Sequence, residues 1–147
     1  MMNNITSYKD YQKRTLIFFF CFLGLVTVYM FQQFSYAHFF NEGIISSDWV
    51  FIINKSIRLI LNDTLCLGLI YAIFYNVSYV KLGSLVQLVE MLVLLPLYFY
   101  FKLSLEGDSE ISSPLLSQIH RLIVNPMLMI LLMIGFYYQL TLSKRGK

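Results

Sequence analysis

The sequence predicts an all-α, polytopic membrane protein: a four-transmembrane-helix bundle of two hairpins with both ends in the cytoplasm (N-in/C-in). Three observations predict it. Of the 147 residues, 58% are hydrophobic and only 13% are charged, whereas a soluble domain carries about 25% charged residues. The apolar residues fall into long blocks, each close to the roughly 20 residues that a helix needs to cross a bilayer. Lysine and arginine gather towards the two ends, where they complement a cytoplasmic membrane surface. Residues 1–147 read as a single integral membrane domain.

The first block runs from about Thr15 to Phe34. Ser35 and Ala37 follow it as a small-x-small pair, but its apolar run from Leu16 to Phe31 exceeds the roughly 7–15 residues of a cleaved signal core. It is therefore read as a retained anchor. The second block runs from about Leu59 to Asn76, the third from about Leu82 to Phe101 and the fourth from about Leu122 to Leu140. The first external loop, about Ser35 to Ile57, carries Trp49 and is expected to lie along the interface as a short helix. The second, about Lys102 to Ser117, is acidic and contains Ser112, Ser113 and Pro114 ahead of the fourth block. Aromatic residues such as Phe31, Phe34, Tyr98, Phe101, Tyr137 and Tyr138 stand at block ends, where amphipathic rings prefer the headgroup zone.

Orientation follows from the basic residues. Lys9, Lys13, Arg14, Lys81, Lys144, Arg145 and Lys147 fall on one side, which is therefore cytoplasmic. Lys55, Arg58, Lys102 and Arg121 fall on the other, among acidic residues. The net charge of +3 and the lack of an aromatic-basic platform exclude nucleic acid as a partner. The partner implied first is the lipid bilayer, with the chain as a multi-pass protein of the inner (cytoplasmic) membrane.

One motif occurs twice. Arg58 and Asn62 open the second block, and Arg121 and Asn125 open the fourth. In each pair a spacing of four puts both residues on one helical face. The pattern fits either two hairpins in parallel repeat or coincidence in a low-complexity apolar background. Arg58, Asn62, Asp63, Arg121 and Asn125 are the candidates for a polar cluster near the outer face, which either holds the bundle together or meets a partner.

Ionisable groups inside a membrane helix are costly and raise a functional hypothesis. Asp63 and Glu90 are the two inside the blocks. With the block limits above they differ in depth by roughly 10 Å, which argues against a shared proton. Asp63 is expected to pair with Arg121, and Glu90 is the candidate intramembrane titrating group; an interhelical hydrogen bond is the structural alternative for each. Gly83, Gln87 and Glu90 share a face of the third block. Thr64, Gly68 and Ala72 make a small-residue ridge on the second, suited to close helix packing.

No catalytic residue, metal site or cofactor is indicated. Cys21 and Cys66 differ by roughly 10 Å in expected depth, more than a disulfide spans, and read as small apolar residues. His38 and His120 lack the carboxylate spacing of a metal site. A cysteine–histidine–arginine transpeptidase would need a nucleophile in a polar setting, and Cys66 lies within an apolar block.

The fourth block is more specific. His120-Arg121-Leu122-Ile123-Val124-Asn125-Pro126, an apolar run, then Phe136-Tyr137-Tyr138-Gln139 and a basic tail, resembles the small exosortase F-associated membrane proteins of the Bacteroidetes. Asn54 to Phe74, with Arg58 and Asn62, is similar to the earlier part of that pattern. The chain departs from it at Asn125, where glutamine is the more usual residue, and at Gly135, where the family tends to proline-alanine. The resemblance implies a non-catalytic accessory role beside an exosortase-family membrane enzyme in protein sorting at the cell envelope, through helix–helix contacts. The alternative is a small ion-coupled carrier with Glu90 as the titrating group. A homo-oligomer is compatible with either.

Overall fold

The computed structural model describes residues 2–36, 46–105 and 125–145, and singly Pro114, Gln118 and Arg121. Ala37, His38, Ser112, Ser113, His120, residues 122–124 and Lys147 lie outside the described residues, as does the side chain of Lys9. The described elements are α1 (Met2–Met30), α2 (Ser47–Phe74), α3 (Val77–Val89), a π turn (Glu90–Leu94), α4 (Leu95–Leu105) and α5 (Met127–Arg145). The α3–π–α4 run is one continuous rod. Four helical segments are thus long and apolar enough to cross a membrane: Asp10–Met30, Ser47–Phe74, Val77–Ser104 and Met127–Arg145. Among the described residues the architecture is all-helical and multi-pass.

In a bilayer, backbone polar groups find no water. Three lipid-side threonines obey the same rule: the hydroxyls of Thr15, Thr27 and Thr141 donate to the carbonyls of Tyr11, Leu23 and Tyr137, one turn back. This lets a polar side chain sit on an exposed helix face without an orphaned donor.

α2 is the hub, packing on α1, α3, α4 and α5. α1 lies antiparallel along it, and the contacts keep a steady register. Asn54 Nδ2 donates to Ser35 Oγ (3.2 Å) at one end, Gly24 faces Leu65 and Gly68 faces Cys21 midway, and Arg14 reaches Ala72 at the other. The Arg14 guanidinium donates from Nε and Nη2 to the Ala72 carbonyl (3.2 and 3.1 Å) and from Nη2 to that of Ile73 (3.3 Å). These are last-turn carbonyls that the helix itself leaves unpaired, and a cation there also opposes the helix dipole. The same guanidinium stands 4.6 Å over the Tyr75 ring. A basic residue at the start of the first apolar run thus also caps a neighbouring helix.

The α2–α3 turn is tight. Tyr75 adopts a left-handed conformation (φ 48°, ψ 38°), and Asn76 Oδ1 accepts from the Ser78 amide at 2.9 Å to start α3. At this end Tyr79 stacks on Phe136 of α5 (centroids 4.3 Å apart), with Phe74 edge-on to both. Cys66, Ile70, Met129 and Phe136 form the buried core beside this trio. A second core, Leu59, Leu95 and Tyr98 with Phe51 and Phe99 against it, lies towards the other end.

Two expectations are corrected here. Trp49 belongs to α2 itself and not to a separate interfacial helix, because α2 begins at Ser47, roughly 18 Å of helix earlier than the apolar block. Asn54, Lys55 and Arg58 break the apolar run without breaking the helix. Tyr98 is buried at 4% exposure rather than standing in an aromatic belt, because the rod continues past it to Leu105.

Candidate functional site

The tight turn that joins α2 to α3 sets the relative depth of Asp63 and Glu90. α2 ends at Phe74 and α3 begins at Val77, so Asp63 stands about 17 Å back from the turn and Glu90 about 20 Å beyond it. The two therefore meet, with their carboxyl groups within hydrogen-bonding reach of each other. The expectation of separate acids is corrected, and the physical reason is that α3 begins about 8 Å of helix before the expected Leu82. Asp63 is not paired with Arg121 either: Asp63 is 1% exposed against Glu90, while Arg121 is exposed.

Two ionised carboxylates are acceptor-only groups. A hydrogen bond between two such groups needs a proton on one of them. The two acids are enclosed between two helices, with Asp63 Oδ2 and Glu90 Oε2 left without partners. Cys66, one turn along α2 and fully buried, lies within electrostatic reach of both acids and of Cys21. The two cysteines are free and buried, closer together than the expected depths implied.

The π turn begins at Glu90 itself, with the Leu95 amide donating to the Glu90 carbonyl. Its cause is in the sequence. Pro96 has no N–H, and in a regular helix its ring would strike the carbonyl of Leu92 four residues back. A widened turn upstream relieves that clash and lets the span continue. It also rotates the faces of α3 relative to those of α4. Gly83 and Glu90 are buried against α2 while Gln87 is partly exposed. A Cβ on Gly83 would stand 2.7 Å from Leu67 Cδ2, so α3 packs closely on α2 at this glycine, two turns before Glu90.

A second site lies nearer the end where α1 finishes and α5 begins. A cavity of about 310 Å³ opens between three helices, with Arg58 and Asn62 from α2, Asn125 ahead of α5, and Val28, Tyr29 and Ile130 among its walls. Three of the five cluster candidates are thus brought together. Arg58 is 9% exposed, and its Nε has no partner. Arg121 does not line the cavity. Of the small-residue ridge, Gly68 and Ala72 meet α1, while Thr64 is exposed. Lys102, expected in a loop, is 2% exposed in α4; its place one turn beyond buried Tyr98 was the available signal. The contribution of α1 to the cavity had no comparable signal beyond Gln32 at its end.

Among the described residues no group of three or more histidine, cysteine, aspartate or glutamate side chains is placed to hold a metal ion. No family model, curated protein or solved structure matches the chain.

Proposed function

We propose that the chain is a non-catalytic accessory protein of the cell's inner membrane that works through helix–helix contacts with a membrane partner, an exosortase-type sorting or processing enzyme. The observation that carries this reading is the uneven burial of the spans. α2 buries 39% of its most apolar window and the α3–α4 rod 28%, but α1 buries only 6% and α5 only 11%. The hairpin of α2 and α3 holds the interior, and the flanking helices, each packed along one side, leave their other faces to lipid or to a second protein. Helix association in lipid is driven by packing and polar contacts, and both flanks end in groups that suit it: exposed Arg121 before α5, and the cavity beside the end of α1.

The test is a mild-detergent pull-down of the tagged chain from its native membranes, read by mass spectrometry. An exosortase-type enzyme is recovered, and Arg121→Ala at equal expression loses it. Recovery of the chain alone as a stable homo-oligomer would overturn the accessory reading.

One observation favours a second reading, a small proton-coupled carrier. The Asp63–Glu90 pair lies inside the span beside an irregular turn, as relays in transporters do. In proteoliposomes, Glu90→Gln then abolishes pH-driven uptake of a transported solute while the protein remains folded. Absence of any proton or solute flux in the unmodified protein across a broad panel would sink this reading.

A further inference from the structure

We infer that the cavity between α1, α2 and α5 binds the phosphate of an anionic phospholipid, with the headgroup on Arg58 and the glycerol and first acyl carbons against the apolar wall. Arg58 is the starting point. It is buried at 9% exposure, it lines the cavity, and its Nε has no partner. A buried donor without a partner is costly, and a guanidinium whose donors form a planar fork is matched to phosphate oxygens.

The other features point the same way. Asn62 and Asn125 add amide groups to the wall. The cavity also touches the start of α5 at Met127, where the helix dipole favours an anion. Among the described residues no acidic side chain lines it. The remaining wall is mostly apolar, with Leu25, Val28 and Ile130, which suits a lipid better than a free ion. Its size is at the lower end of the roughly 300–1,000 Å³ range of small-molecule sites, enough for a headgroup with the top of its chains outside.

The experiment is native mass spectrometry of the full chain purified in a neutral detergent, titrated with dioleoylphosphatidylglycerol, with dioleoylglycerol and with inorganic phosphate. One phosphatidylglycerol is retained per chain, at least about tenfold more tightly than the diacylglycerol that lacks the phosphate. Inorganic phosphate at millimolar concentration does not displace it. Arg58→Gln, checked for unchanged helical content and thermal midpoint, brings phosphatidylglycerol down to the diacylglycerol level. Should that variant fail to accumulate, Val28→Trp keeps Arg58 and fills the cavity, and it loses the bound lipid instead. Equal retention of the two lipids, or retention unchanged by whichever variant folds, overturns the inference. Ready displacement by inorganic phosphate would assign the site to a soluble anion and overturn the lipid.

Discussion

Glu90→Ala destabilises the bundle by about 2–5 kcal/mol, while Glu90→Gln costs less than about 1 kcal/mol. The difference comes from what is left behind. Asp63 is 1% exposed and hydrogen-bonds to Glu90, so removing that side chain strands a carboxyl in the apolar interior. An orphaned buried group costs about 1–3 kcal/mol, and the space vacated by the side chain adds a cavity cost. Glutamine keeps the volume, and its amide donates to the Asp63 carboxyl without needing a shared proton. The measurement is denaturation of the purified chain in mixed micelles, followed by helical content. Equal losses for the two variants would mean that an amide cannot stand in for the Glu90 carboxyl, and would overturn the expected contrast. The contrast also frees Glu90→Gln for transport assays, since a lost flux would then report the proton and not the fold.

Gly68→Ala loosens α1 from α2 and costs about 1–3 kcal/mol, the usual range for overpacking. A Cβ at this position would collide with the Cys21 side chain, and the thiol or the helix that carries it must move to admit it. The collision is with one sulfur atom, so it has a specific cure. In the double variant Cys21→Ala with Gly68→Ala, most of the loss is recovered. The size of the coupling, measured in a double-mutant cycle on thermal stability, is the readout. Additive losses from the two substitutions would show that the helices do not meet through this pair.

The number and kind of elements were legible from the chain alone. Four apolar blocks became four spans because a helix in lipid must satisfy its own backbone, and no tertiary contact is needed for that. The end of α2 was legible too, with Tyr75 and Asn76 making the turn. Its beginning was not. Asn54, Lys55 and Arg58 made Ser47–Ile57 look like a loop. In the fold Asn54 bonds to Ser35, Lys55 stands 5.5 Å from the Phe51 ring and Arg58 lines the cavity. Their polarity is absorbed by neighbours that no local window contains.

Two boundaries carried the errors in the candidate site. With α2 begun at Leu59, Asp63 sat near the surface and paired with Arg121; with the third block begun at Leu82 and not at Val77, Glu90 sat too shallow to meet it. The spacing of four between Arg58 and Asn62 did place both on one face, and they share a cavity. Asn125 joins them from another helix, a juxtaposition that repetition of the motif suggested but did not decide.

By itself, the sequence determined that the chain is multi-pass in character, that four of its helices are long and apolar enough to cross a bilayer, and which residues were too polar to sit there without a reason. Those are one-dimensional properties, set by the cost of moving each residue type from water into hydrocarbon. Only the tertiary structure decided which polar groups meet. A partner is chosen by the register between helices, and register is set by where each helix begins, where a glycine lets two backbones close, and where a proline widens a turn. The meeting of Asp63 with Glu90 and the unpaired Arg58 Nε in the cavity both arise from that geometry.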